Sequence, residues 1–435
     1  MEAALSATDL PEEYVPSVMA RSLTSPSTYA NPANVHADLA WLRANRPVAR
    51  LEAPNVDPFW LVTRHQDILD IERQADLFRN GDRSTVMLPM DMRVAVEHAM
   101  GMPHLTRSMV NMDGREHRTY RMLTQSWFMP GNIKKLTERI RAIARTHVDR
   151  MLARGGACDF VSDVALHYPL HVIMEILGVR EEDEGRMLML TQQLFGARDP
   201  ELGREADAMQ RPETALKVFE AVLEDFYAYF RVLTDERRKT PRDDVASIIA
   251  NAVIDGAPIA DHEANSYYVL VATAGHDTTS ASTAGGALAL ARDPALFARV
   301  KNDPTLIPAL VEEAVRWVTP VNHFMRTAAR DVQFAGQSMR EGDWIMLSYL
   351  SGNRDEAVFE DPDAFRLDRP PSKQLAFGFG PHLCLGQHLA KLEMRILFEE
   401  LIPRLHSIKL AGEPAWTQSV FISGPKRLPV SFRAT

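Results

Sequence analysis

The tightest constraint on this chain is the run FGFGPHLCLGQHLAKLE, Phe377 to Glu393, in which a glycine-rich loop passes through Cys384 straight into a helical pattern. Gly378, Gly380 and Gly386 strip the loop of side-chain bulk, so a flat group can approach its backbone closely. The residues from Leu385 to Arg395 have helical character. A thiolate at that helix's start is favoured by free backbone N–H groups and by the helix dipole. A thiol is a weak ligand, whereas a thiolate is a strong one for soft metals. The residues alone leave several readings open: a plain buried cysteine, a zinc site with His382 and His388 that lacks a fourth nearby ligand, or a nucleophile in need of a base.

Cys158 is the one other cysteine in 435 residues, which excludes a disulfide framework or a multi-cysteine zinc site and suits a reducing, cytoplasmic setting. A formal net charge of −9 makes the chain a poor partner for nucleic acid or an anionic membrane. The opening residues MEAALSATDLPEEYVP carry neither a basic stretch nor an apolar run, so no leader or membrane anchor is expected. With no repeats and no linker, residues 1–435 are expected to form one domain after an irregular segment over 1–30.

PFWLVTRHQDILDIERQ predicts a strand and then a helix. WFMPGNIKKLTERIRAIARTHVDRMLARGG predicts one long amphipathic helix stopped at Gly155 and Gly156. Helical periodicity also fills HYPLHVIMEILG and ALKVFEAVLEDFYAYFRVLTDERRK, and a single long helix is expected from about Asp261, as N-cap, to Arg292. Strand signals such as DWIMLSY are short and late, so the fold class is mainly α with minor β.

The pattern Phe377-Gly378-x-Gly380-x-His382-x-Cys384-x-Gly386 resembles the haem-binding loop of the cytochrome P-450 family. The resemblance implies a helix-rich triangular prism with small β-sheets, and haem b (iron protoporphyrin IX) with Cys384 as its axial thiolate. It implies that Phe377 shields the sulfur and that Gly378 and Gly386 give the cofactor clearance within the loop 377–386.

Three further motifs match the family in order. AGHDTTS, Ala274 to Ser280, sits in a helix crowded with small residues. Close packing explains those, and Thr278 and Thr279 can bond back to carbonyls. Asp277 is costly to bury without a purpose. The run resembles the family's oxygen-activation site, which implies a bulge at Ala274–Gly275 admitting O2, a Thr278 hydroxyl that holds dioxygen and a water, and Asp277 as proton relay. In EEAVRW, Glu312, Glu313 and Arg316 share a polar arc, and periodicity cannot choose Arg316's partner. The resemblance selects Glu313-x-x-Arg316, with Arg369 of FEDPDAFRLDRP as third member of a structural triad that pins the loops beneath the haem. It also assigns the haem propionates to His117 and Arg121 of MDGREHRTYR, Arg326 of PVNHFMR, and His382.

HYPLHVIM, YYVLVATAGHDTTS, FMRTA, IMLSY and CLGQHLAKLEM are most similar to the bacterial branch of the family that hydroxylates α-terpineol. The implied activity is a monooxygenase placing one atom of O2 in its substrate, with electrons passing from NAD(P)H through a ferredoxin reductase and a [2Fe–2S] ferredoxin. A basic island of Arg115, Arg118, Arg121, Lys134, Lys135, Arg139 and Arg141 on an acidic chain offers the dock, and a solvated helix face accounts for each of these residues singly. A monomer is expected.

Family analogy draws the substrate pocket from Met87 and Met90 in the loop after Gly81, from Leu270, Thr273 and Ala274, from Val321, Asn322 and Phe324, and from Phe421 and Ile422. These are mostly apolar, which predicts a small to medium hydrophobic substrate: a terpenoid, an aromatic or an alkyl compound. Seven methionines between Met87 and Met112 suit an adaptable wall, or are ordinary core fillers. This stretch is also where the chain is least like the terpineol branch. A peroxide-dependent haem-thiolate hydroxylase and a haem-based sensor without turnover are the alternatives. The Asp277–Thr278 pair weighs against both, and the basic island weighs against the sensor.

Overall fold

Apolar residues at helical spacing drive most of this chain into helices, and the computed structural model describes residues 13–195, 199, 201, 211–370 and 373–435. Among these the helices are, in chain order, α1 Ser17–Thr24, α2 Pro32–Asn45, α3 His65–Glu72, α4 Met90–Met100, α5 Gly114–Gln125, α6 Pro130–Ile133, α7 Thr137–Leu152, α8 His167–Leu177 and α9 Glu184–Phe195. Then come α10 Pro212–Lys239, α11 Val245–Ala250, α12 Asp261–Ala274, α13 Asp277–Arg292, α14 Pro294–Asn302, α15 Ile307–Val318, α16 Tyr349–Gly352 and α17 Gln387–Leu401. No described helix is long and apolar enough to cross a membrane.

The β-structure is small and divided. A five-stranded sheet has the order Val48–Ala53, Val56–Val62, Trp344–Ser348, His323–Ala328, Phe78–Arg79. Trp344–Ser348 runs parallel to Val56–Val62 and antiparallel to His323–Ala328, with Ile345 opposite Arg326. Strand alternation puts Phe324 and Arg326 on one face and His323 and Met325 on the other. A second sheet joins Leu405–Leu410, Pro429–Ala434 and Ala157–Asp159. The main hydrophobic core lies among α7, α8, α12, α13, α15 and α17. Within it the Tyr168 hydroxyl donates to Glu393 O at 2.9 Å, tying α8 to α17.

Three sequence expectations are corrected. Residues 1–12 of the start lie outside the described residues, but the rest of the segment to 30 is not irregular: α1 buries Ala20 and Leu23, followed by a 3-10 turn over Pro26–Ala30. The long helix expected from Trp127 is broken. Pro130 holds Met129 extended at ψ 149°, so α6 starts afresh there and a 3-10 turn, Lys134–Leu136, precedes α7. The Gly155–Gly156 stop stands, with both residues at positive φ.

The helix expected from Asp261 to Arg292 is two helices. Glycine has low helix propensity, and the Thr278 hydroxyl donates to Ala274 O at 2.9 Å, an i−4 bond that bends helices. His276 departs to φ −94°, ψ −73° at the junction, and α13 restarts at Asp277. Asp261 is the first residue of α12 rather than its cap. Ala260 occupies the cap, and its N–H donates to Glu263 Oε2 at 3.3 Å.

Candidate active site

The cysteine loop is closed by its own backbone. The Cys384 N–H donates to Phe377 O at 2.8 Å, and the Gly378 N–H to Leu375 O at 2.8 Å. Gly378 and Gly380 take φ of +68° and +69°, which only glycine adopts freely. The reading of the loop glycines as open clearance is refined here. A Cβ on Gly380 would lie 2.5 Å from Glu72 O, and one on Gly378 3.4 Å from Glu72 Oε1, so these two dock the loop against the end of α3. A Cβ on Gly386 would meet nothing within 4 Å. Burial pushes the Cys384 thiol up, against the backbone N–H groups of Gly386 and Gln387 and the cations Arg121 and Lys391. The Lys391 ammonium sits 5.1 Å from the centre of the Phe377 ring.

Four basic side chains from three separated segments converge beside this loop. The His117 ring on α5 lies 4.0 Å from the His382 ring. One turn further on, Arg121 Nη2 donates to Leu383 O at 2.7 Å. Arg326, 4% exposed, donates from Nη1 to Met325 O at 2.9 Å and from Nη2 to Glu72 Oε1 at 3.3 Å. Burial, then the neighbouring cations, pull His117 down to about 4 and His382 to about 2. Glu72 was not singled out in the sequence. Its Oε1 also accepts from the Tyr349 hydroxyl at 2.7 Å, and its Oε2 is buried without a partner.

At the helix junction, Asp277 and Thr278 line a cavity of about 60 Å³ together with Gln192, Ser280, Thr417 and Lys426, polar and roomy enough for water. Asp277 exposes 16% of its side chain, yet its Oδ2 is buried with no partner. Burial raises its carboxyl group, and the adjacent His276 pulls it back. Thr278 spends its proton on Ala274 O, so its oxygen lone pairs are left to accept. Gly275 is needed for packing as well as for the break, since a Cβ there would press on Ile173 of α8 at 3.0 Å.

Buried beneath, Glu313 and Arg316 form a bidentate pair: Nε to Oε2 at 2.8 Å and Nη2 to Oε1 at 2.7 Å. Arg369 Nε joins at Oε1, 2.9 Å. Arg316 Nη1 donates to Asn353 O and Pro362 O, both at 2.8 Å, and Arg369 Nη1 to Glu360 O at 2.6 Å. Glu312, which periodicity could not separate from Glu313, instead pairs with Lys391 at 2.6 Å.

The pocket candidates divide. Val321 bridges Ile422, and the Phe324 and Phe421 rings lie 5.6 Å apart. Thr273 bonds back to Val269 O at 2.7 Å, and Leu270 packs partly against the main core. Asn322 serves as an anchor and not a wall: its Nδ2 donates to Ser419 O, Val420 O and Ile422 O at 3.2–3.4 Å, and its N–H to Phe421 O at 2.8 Å. His323, within the Val321–Phe324 stretch, donates from Nδ1 to Val420 O at 3.1 Å and accepts the Met87 N–H at 3.2 Å. Met87 lies in the sheet's core with Trp344 and Met346, Met92 packs with Val96 and Ala215, and Met109 and Met112 are in the main core. Met90 is 38% exposed.

In the basic island Arg115, Arg118, Lys134 and Lys135 are exposed. Arg115 pairs with Asp255 at 2.9 Å, Arg139 with Glu175, and Arg141 with Glu399 and Glu400. Met122 and Met129 stand out among them at 72% and 49% exposure. His388 is exposed. Burial pushes the Cys158 thiol up to about 12.

Comparison with known proteins adds the following. The cytochrome P-450 family model matches residues 89–410. Cytochrome P-450-terp of Pseudomonas sp is 46% identical over 96% of this chain and 98% of its own. A steroid C26-monooxygenase of Mycolicibacterium smegmatis is 31% identical over 91% of this chain and 90% of its own. The crystal structure of CYP108D1 from Novosphingobium aromaticivorans superposes with a TM-score of 0.90 at 46% identity, covering 97% of this chain and 100% of that one. Mycobacterium marinum CYP268A2, in complex with pseudoionone, gives 0.84 at 31% identity over 94% and 98%.

Proposed function

The chain belongs to the cytochrome P-450 family and is a monooxygenase of that family, and on that footing we propose that it holds haem b through Cys384 and hydroxylates a small to medium hydrophobic substrate with O2 and electrons from a [2Fe–2S] ferredoxin. The observation that carries this reading is the convergence of His117, Arg121, Arg326 and His382 beside the Cys384 loop. Burial first, and the neighbouring cations after it, hold His117 and His382 toward their neutral forms. Two carboxylates placed among them would reverse that penalty. A half-buried sulfur, four cationic or N–H donors and the open space at Gly386 fit an iron porphyrin with two propionates. Cys384 would hold its iron through the sulfur, and Lys391 stands over the Phe377 ring of the same loop.

Bound haem iron supplies dioxygen activation, and thiolate ligation favours O–O cleavage. The remaining work falls to side chains of this chain. Asp277 stands at the edge of the cavity, where its carboxyl group would pass a proton to water. Thr278, its hydroxyl proton turned to Ala274 O, offers its oxygen to a water that carries the proton inward. Glu313, Arg316 and Arg369 pin the segment 353–364 under the site. Val321, Phe324, Phe421 and Ile422 exclude bulk water and leave an apolar surface for substrate. The likeness to cytochrome P-450-terp and to a pseudoionone complex supports a terpenoid over a planar aromatic compound.

Electrons would enter near the exposed Arg118, Lys134 and Lys135, on a stretch that also exposes Met122 and Met129, a mix of basic and apolar groups suited to an acidic partner. The reading has the chain acting as one domain and a monomer in the cytoplasm, fed from NAD(P)H through a reductase.

The test is spectral. Reduced, carbon monoxide-treated protein is expected to show the red-shifted Soret band of thiolate ligation, and Cys384→Ala to lose it. A wild-type spectrum without that band would overturn the assignment. A panel of hydrophobic compounds scored by spin-state shift then identifies the substrate class.

A further inference from the structure

We propose that His276 is a positioning residue that shares one proton with Asp277 and so keeps the site's acid charged between turnovers. The inference rests on the reading of Asp277 and Thr278 as the proton-delivering pair.

His276 is fully buried at the break between α12 and α13, and the direction of each of its contacts is set by chemistry. Its Nε2 lies 2.8 Å from Leu166 O, at the threshold of α8. A carbonyl oxygen only accepts, so Nε2 carries a hydrogen. Its Nδ1 lies 3.3 Å from Thr191 Oγ1 on α9. That hydroxyl proton is already given to Leu188 O at 2.9 Å, so Thr191 turns a lone pair toward the ring. The third neighbour is Asp277 Oδ1, 3.4 Å from Nδ1. Every group facing the ring is therefore an acceptor. A neutral imidazole would aim its Nδ1 lone pair at two acceptors in a buried site, which is costly. A doubly protonated ring satisfies both nitrogens and pairs with the Asp277 carboxylate.

Asp277 Oδ2 is the free end of this arrangement, buried without a partner beside the cavity. The proton moves from Nδ1 to Asp277, and from Asp277 to a water in the cavity, while Nε2–H stays on Leu166 O. The pair then holds no shared proton, and the lone pair on Nδ1 again faces acceptors. The delivered proton passes inward by Thr278, and the unfavourable state draws a fresh proton from bulk solvent along the cavity water, so charge and proton count are restored. Other titratable or charged groups face the pair from α8, as His167, and from the Pro425–Arg427 strand, as Lys426. Lys426 is held by Asp199 at 2.8 Å. From α9 the contacts are the uncharged Thr191 and Gln192.

Nitrogen-15 spectra of histidine-labelled holoenzyme in its ferrous carbon monoxide form read the ring directly, with the His276 signal assigned by its loss in His276→Gln. Both nitrogens are expected to be protonated at pH 7. A singly protonated His276 at pH 6 overturns the proposal. Product formed per NAD(P)H is then followed against pH with a surrogate [2Fe–2S] ferredoxin and reductase. The alkaline limb for His276→Gln is expected to move toward acid, with yield at pH 8 down roughly tenfold. An unchanged profile overturns the proposal. Asp277→Asn separates the two readings. If it leaves the yield intact, the relay itself fails. If it uncouples while His276→Gln does not, only the shared proton fails. Should His276→Gln not fold, Thr191→Val replaces it and is expected to move the alkaline limb of product yield toward acid, and no movement counts against the proposal.

Discussion

Replacing Glu313 by glutamine, beside the same change at its neighbour Glu312, compares a buried carboxylate with a half-exposed one at almost constant volume. Glu313 is 4% exposed and accepts four hydrogen bonds: two from Arg316, one from Arg369 Nε, and one from the Arg366 N–H at 2.8 Å. Glutamine removes the charge and turns an NH2 group toward guanidinium donors. Leaving a buried charge without its partner costs about 3–5 kcal/mol, so the ratio of folded to unfolded chains falls by roughly a thousandfold. Glu312 and Lys391 expose 34% and 26% of their side chains, and such a pair contributes about 0–1 kcal/mol. A chain of this size has a urea slope near the top of the usual range, about 3 kcal/mol per M. The midpoint in urea, followed by far-UV circular dichroism at fixed haem content, is then expected to drop by about 1–1.7 M for Glu313→Gln and by less than about 0.3 M for Glu312→Gln. Equal shifts would refute the view that Glu313 holds the loops below the site.

Three other perturbations test separate parts of the structure. Gly380→Ala is expected to destabilise the protein by about 2–3 kcal/mol, because its Cβ would collide with Glu72 O at positive φ, whereas Gly386→Ala should leave apo stability unchanged and weaken haem retention. Urea midpoints and haem transfer to apomyoglobin distinguish the two. Burial pulls His323 down to about 4, while the unfolded chain takes up a proton below about 6.5. Its contribution is therefore complete above pH 6.5 and declines as pH falls from 6.5 to 4, by up to about 3 kcal/mol, and His323→Gln should flatten that decline in urea midpoints. The first-electron rate with an acidic ferredoxin should fall as salt rises, and Lys134→Glu with Lys135→Glu should reduce both the rate and its salt slope; stopped-flow reduction shows whether they do.

What the sequence disclosed was what lies close along the chain. The Cys384 loop, the Asp277–Thr278 pair and Glu313-x-x-Arg316 are each complete within ten residues, so spacing and residue type expose them. Glu72 is different. Its partners are Arg326, Tyr349 and the loop at 378–380, more than 250 residues away. Its one local trace is a carboxylate on a helix face shared with the buried Ile68 and Ile71. His276 was in view inside AGHDTTS but was given no role, because its contacts are Leu166 O and Thr191, which are distant in the sequence. The broken helices had local causes that periodicity averages over: Pro130 in one, and Gly275 with the Thr278 back-bond in the other. Fold class was legible because it depends on many residues at once. The bonds of Asn322 could not be read from the sequence, because they depend on where the distant 419–422 loop lies.

That Asn322 anchor bears on how such a protein changes its diet. The 419–422 loop is gripped by its carbonyl oxygens, a feature every amino acid shares. Val321, Phe421 and Ile422 can therefore be exchanged while the loop keeps its seat. Libraries at these positions should yield folded proteins with new preferences, and an exchange at Asn322 should not. The wall is detachable paint over a fixed frame, and evolution can repaint it without rebuilding.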